Sequence, residues 1–127
     1  MYILIRVKQF NDKSLIKDKA YINGQWVSSN SSSTFDVTDP SSMEVIGSMP
    51  ECDKQDVQQA IQAAEEALIS WRKTTGRERA TLLRKWYQLM MDNADDLAKL
   101  ITWENGKPLA DAKGATIHPT LLEGGYG

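Results

Sequence analysis

The chain has 127 residues, enough for one domain, and its 41% hydrophobic and 25% charged content excludes a wholly disordered polymer. A net charge of -2 leaves no basic excess to neutralise phosphates, which sets nucleic-acid binding aside. The single cysteine, Cys52, excludes an internal disulfide and fits a reducing compartment.

Met1 to Lys19 shows no clear period, although Tyr2–Val7 admits a short strand. The apolar run there is broken by Arg6 and Lys8, too early for a secretory signal or a membrane span. Asp12 and Asp18 run against an acid-poor transit peptide. The chain therefore reads as cytoplasmic, with neither a membrane nor a nucleic acid as partner. The first firm element is Tyr21-Ile22-Asn23-Gly24-Gln25-Trp26-Val27. Asn-Gly between β-formers predicts a hairpin, because both turn positions need positive φ. A polar loop, Ser28 to Ser33, leads to an alternating strand at Thr34–Val37. Asp39-Pro40-Ser41-Ser42 is a turn, and Glu44–Met49 reads as a further strand closed by Pro50.

Three amphipathic helices follow. The first runs from about Asp53 to Lys73, with Asp53 as its cap and Asp56 in the first turn, where negative charge suits the dipole. Val57, Ile61, Ala64, Leu68 and Trp71 form its apolar stripe, opposed by Gln58, Gln59, Gln62, Glu65 and Glu66. Thr75-Gly76-Arg77-Glu78 is a capping box for the second, which runs to about Met91 with Ala80, Leu83, Trp86, Tyr87 and Met90 on one side. Asn93 and Asp96 mark a third start. That helix carries Leu97, Leu100, Ile101 and Trp103 and stops at Asn105-Gly106, with Pro108 just beyond. Lys107 to Gly114 reads as the exit from one helix and the entry into another. Thr116-Ile117-His118-Pro119 suits no helix, and Gly124-Gly125-Tyr126-Gly127 looks like a tail. The fold class is α+β: short N-terminal strands, then three helices.

In order, Tyr21–Val27, Val37-Thr38-Asp39-Pro40, Ser70-Trp71-Arg72, Glu78–Trp86 and Glu104–Gly114 resemble the N-terminal portion of the NAD(P)-dependent aldehyde dehydrogenases. Leu89-Met90-Met91 and Gly106–Gly114 are most similar to the succinate-semialdehyde dehydrogenase branch. The resemblance implies an α/β parent fold, truncated here, with residues 1–10 as an extra N-terminal segment and 11–114 as the family-like region. Residues 115–127 depart from the family and are expected to be foreign or out-of-frame sequence. The implied parent chemistry is attack of a cysteine thiolate on an aldehyde, hydride transfer to NAD or NADP, and release of the acid by water that a glutamate activates. The resemblance places those residues, and the cofactor site, beyond position 127. The expected catalytic, cofactor-binding and metal sites of this chain are therefore none, and the chain alone should be inactive. Its uncovered apolar helix faces should make it marginal in stability. They should drive self-association or binding to a full-length subunit or another protein, and a small interaction module is the alternative function.

The chemistry-bearing residues support this reading. Cys52 sits at a helix N-terminus, which favours a thiolate, but has no neighbouring histidine and reads as an inert thiol. His118, the one histidine, would need several carboxylates to complete a metal site. Glu65-Glu66 and Asp95-Asp96 point about 100° apart on a helix and read as solvated faces. Arg72, Lys73, Arg77, Arg79, Arg84 and Lys85 read as a charged rim. Trp71, Trp86 and Trp103 read as core. The resemblance places Thr38 and Glu104 near a monovalent-cation site seen in some members. Gly124–Gly127 is no phosphate loop, since no strand precedes it and no helix follows.

Overall fold

In the computed structural model, residues 9–117 are described. The strand expected at Tyr2–Val7, His118 and the glycine-rich tail lie outside them. After a 3-10 turn at Lys13–Leu15 come β1 (Ala20–Ile22), β2 (Gln25–Val27), β3 (Thr34–Thr38) and β4 (Val45–Pro50). The helices are α1 (Lys54–Trp71), α2 (Gly76–Asp92), α3 (Ala94–Asn105) and α4 (Leu109–Ile117).

β1 and β2 pair antiparallel around Asn23-Gly24, whose φ values of 50° and 75° are those the two-residue turn demands. β3 and β4 form a second antiparallel pair with an irregularity between Val37 and Thr38. Pro50 does not follow this strand but ends it, opposite Thr34. In a two-stranded sheet each strand has a free edge, where a missing N–H costs nothing. The β3–β4 turn is tied by Asp39, whose Oδ1 accepts from the Ser41 amide at 2.8 Å and its hydroxyl at 2.6 Å.

Both expected caps form. Asp53 accepts from the Gln55 and Asp56 amides, while Asp56 accepts from the Asp53 amide at 2.9 Å. At α2 the Thr75 amide donates to Glu78 at 2.7 Å and the Glu78 amide returns the bond at 3.2 Å. That Thr75 amide bond holds the Glu78 carboxyl below its ordinary range. Asn93 behaves differently. Its side chain caps nothing on α3; instead Nδ2 donates to the Leu89 carbonyl at 2.8 Å, closing α2. Gly106 ends α3 with φ 74°, and a Cβ there would lie 3.0 Å from Pro40 Cγ. Glycine is thus required twice, by left-handed backbone and by contact with the β3–β4 turn.

The structure corrects the helix count. A fourth helix, α4, packs along α3 and includes Thr116 and Ile117, which the sequence reading judged unfit for helix. Thr116 Oγ1 donates to the Ala112 carbonyl at 2.9 Å, and Ala112 is buried. The poor helix propensity of β-branched residues is worth only about 0.7 kcal/mol or less per residue, so packing of α4 overrides it. The α+β class stands.

Among the described residues the buried apolar side chains are Phe10, Pro50, Ala98 and Ala112. Trp71 and Trp86, expected in the core, are exposed; Trp86 retains 60% of its surface. Trp103 does pack, edge-on to Phe10 at 5.0 Å. The stripes are real, but on α1 and part of α2 the described residues leave them largely exposed.

Candidate functional site

Of the three buried aspartates Asp39, Asp56 and Asp96, the last two tie helices to distant loops. Asp96, in the first turn of α3, accepts from the Asn11 and Asp12 amides at 2.8 and 2.9 Å and pairs with Lys99 at 2.9 Å. Lys99 also donates to the Gln9 carbonyl at 2.6 Å and lies 5.5 Å above the Phe10 ring. Burial raises the Asp96 pKa, but the Asp12 amide, Lys99 and the Asn11 amide together hold it below the ordinary carboxylate value. The expectation that Asp95-Asp96 forms a solvated face is therefore wrong for Asp96. It anchors a strap some 85 residues away in sequence. Asp95 is exposed and pairs with Lys113 of α4 at 2.7 Å, and that bond lowers its pKa.

Asp56 is the second anchor. It accepts from the Asn30 amide at 3.1 and 3.3 Å, besides capping α1, and so fixes α1 against the loop after β2. Glu65 and Glu66 are exposed as expected, Glu66 accepting from Gln62 at 3.0 Å.

Two apolar grooves meet at Glu104. One, about 400 Å³, lies between Leu15–Asp18, Trp26, β4, Leu100 and Trp103. The other, about 670 Å³, is walled by Leu83, Trp86, Tyr87 and Met90 of α2, by Leu97 and Ile101 of α3, and by Ala115 and Thr116. Neither brings together a nucleophile, a base and an oxyanion donor. Val37, not Thr38, borders the first groove, and among the described residues no group of three His, Cys, Asp or Glu could hold a metal ion. Cys52 is exposed beside the α1 cap. Arg72, Lys73, Arg77, Arg79, Arg84 and Lys85 are all exposed.

A dinucleotide does not fit these residues. Its diphosphate needs open backbone amides at a helix N-terminus. At α1 and α2 those amides are occupied by the chain's own Asp53 and Thr75, with the carboxylates of Asp56 and Glu78 alongside, and the first turns of α3 and α4 carry Asp95, Asp96 and Asp111, whose negative charge opposes a diphosphate.

A family model described as the aldehyde dehydrogenase family matches residues 26–122. The chain belongs to the aldehyde dehydrogenase family. This match runs past Gly114, as α4 does. Among curated aldehyde dehydrogenases, the glutarate-semialdehyde dehydrogenase of Pseudomonas putida is 47% identical over 106 residues, 84% of this chain and 22% of that protein. The NADP-dependent succinate-semialdehyde dehydrogenase of Escherichia coli matches with the same identity and coverage. The crystal structure of succinate-semialdehyde dehydrogenase from Burkholderia pseudomallei superposes with a TM-score of 0.83 at 44% identity, over 85% of this chain and 22% of that one. The chain thus spans about a fifth of the length of these aldehyde dehydrogenases.

Sequence reasoning missed the Asp96 anchor and the Phe10–Trp103 contact. Lys99 three residues after Asp96 was a visible signal for a pair on one helix face. Nothing in the local sequence named the amides of Asn11 and Asp12 as its other partners.

Proposed function

We propose that this chain is the N-terminal portion of a semialdehyde dehydrogenase, an oxidoreductase whose whole protein oxidises succinate semialdehyde or its one-carbon-longer homologue, glutarate semialdehyde, to the dicarboxylate. The observation that carries this is the equal 47% identity to dehydrogenases named for those two aldehydes. A bound NAD or NADP would supply the hydride acceptor, and the NADP dependence of the E. coli relative supports that class of cofactor. The residues described here would shape and support the fold around such a site and would not touch the reacting atoms. The chain alone has neither a nucleophile paired with a base nor a free diphosphate cradle among the described residues, so it should not turn over. Its lone cysteine fits the reducing cytoplasm.

A chimera tests the reading. Residues 11–114 replace the matching segment of the E. coli succinate-semialdehyde dehydrogenase, and NADPH formation is followed. A folded chimera that retains activity supports the proposal; a folded but inactive one counts against it. Turnover of either semialdehyde by the purified 127-residue chain would show the inactivity claim to be wrong. Sequencing the coding DNA across the Gly114 codon tests the tail. A family-like continuation in another frame makes 115–127 a frameshift product, and its absence removes that explanation.

A further inference from the structure

Two asparagines in the chain are followed by glycine, Asn23 and Asn105, and both are exposed. Such a pair can react with itself. The glycine nitrogen attacks Cγ of the asparagine, and a new C–N bond closes a cyclic imide. The side-chain nitrogen leaves as ammonia, taking the proton that the glycine amide gives up. Water then opens the ring. Attack at Cγ leaves aspartate. Attack at the main-chain carbonyl leaves isoaspartate, whose backbone runs through the side chain and is longer by a methylene. A residue other than glycine in the second position shields the attacking nitrogen with its Cβ.

The fold holds the two glycine nitrogens differently. At the end of α3 the Gly106 amide donates to the Thr102 carbonyl at 2.9 Å. Gly106 is also wedged against the β3–β4 turn, where an added Cβ would lie 3.0 Å from Pro40 Cγ. For Gly106 to attack, the last turn of α3 must fray and that contact must open. Gly24 lies at the tip of the hairpin, and among the described residues no bond outside the strand ladder engages its amide or the Asn23 side chain. Ring closure requires Asn23 to rotate out of the left-handed turn. The ladder beneath it has three residue pairs, Ala20↔Val27, Tyr21↔Trp26 and Ile22↔Gln25, and so short a hairpin opens readily.

We propose that Asn23-Gly24 is a site of spontaneous conversion to aspartate and isoaspartate, and that the fold protects Asn105-Gly106 from the same reaction. The two products differ in consequence. Aspartate suits the turn, since Asp-Gly and Asn-Gly favour the same two-residue hairpin loop. Isoaspartate lengthens the backbone of that loop and upsets the strand register it sets. The contacts at stake are the Tyr21–Trp26 ring pair at 5.0 Å and Lys17 above the Trp26 ring at 5.1 Å.

The test incubates the purified 127-residue chain at mildly alkaline pH, in buffer and in concentrated urea. Proteolytic peptides carrying Asn23 and Asn105 are followed by mass spectrometry for the change from amide to acid. Enzymatic carboxyl methylation with a labelled methyl group reports the isoaspartyl share. In buffer Asn23 should convert about tenfold or more faster than Asn105, because the Gly106 amide reacts only after local opening. In urea, where neither amide is held, the two rates should agree within about twofold. The isoaspartyl fraction should exchange amide hydrogens faster in β1 and β2, whereas Asn23→Asp should keep the wild-type pattern. Equal rates for the two sites in buffer would overturn the proposal. So would an Asn23 that converts in urea but not in buffer, or an isoaspartyl chain with wild-type exchange.

Discussion

The first and third helices are built on the same device and end differently. Each has a buried aspartate in its first turn, Asp56 in α1 and Asp96 in α3. Each aspartate accepts backbone amides from a loop distant in sequence, Asn30 in one case and Asn11 with Asp12 in the other. Around α3 the apolar groups also find partners: Trp103 meets Phe10, and Ala98 and Ala112 are buried. Around α1 they do not. The comparison shows that a polar anchor sets which way a helix faces, while apolar burial decides whether the arrangement is finished. At about 25 cal/mol per Å² of apolar surface, each side chain left open on α1 forgoes on the order of 1 kcal/mol.

The largest effect should come from breaking the finished side. Asp96→Ala removes the acceptor of the Asn11 and Asp12 amides and leaves Lys99 only the Gln9 carbonyl, and should cost about 2–4 kcal/mol, read by urea unfolding. The same bonds set a pH dependence. Because the folded-state pKa of Asp96 is lowered, its contribution is present above the unfolded value near 4 and is lost as pH falls through the folded one. The stability difference between wild type and Asp96→Ala should therefore shrink as pH falls below about 4. A difference that grew on acidification would break the account.

Asp56→Ala attacks the unfinished side and should cost less, about 2–3 kcal/mol, since it loses the cap and the Asn30 bonds but takes no partner from a cation. An equal or larger loss would mean that α1 contributes more to the isolated chain than its exposed stripe suggests. Gly106→Ala probes the junction between α3 and the β3–β4 turn. Left-handed backbone and the Pro40 contact together should cost about 1–2 kcal/mol, measured as a lower melting temperature. Thr75→Ala, at an exposed cap, should cost about 1 kcal/mol. Ile61→Asp should change the stability of the chain alone by less than about 0.5 kcal/mol. That near-silence is the sharpest contrast with Asp96→Ala, and a large loss there would show that the α1 stripe is packed after all.

Much of this was legible from local sequence. Asn23-Gly24 dictates its hairpin, Asp53 and Thr75 begin their helices, and Gly106 ends α3, because each is a property of a few adjacent residues. The family was legible too, since its motifs keep their order along the chain. The fourth helix was not, because Thr116 and Ile117 have weak propensity and only the packing of α4 as a whole along α3 outweighs it. Nor was the burial of Asp96. Two adjacent carboxylates on a helix look alike in sequence, and only the approach of Asn11 and Asp12 separates the buried one from its exposed neighbour.

The sequence by itself determined the four strands, the first three helices with the Asp53 and Thr75 caps, the apolar stripes and the family, all of which follow from near-neighbour chemistry and motif order. Tertiary structure alone decided which stripe is covered. Burial depends on what residues far away in the chain bring to a surface, and among the described residues Phe10 reaches Trp103 while the outer side of α1 stays exposed.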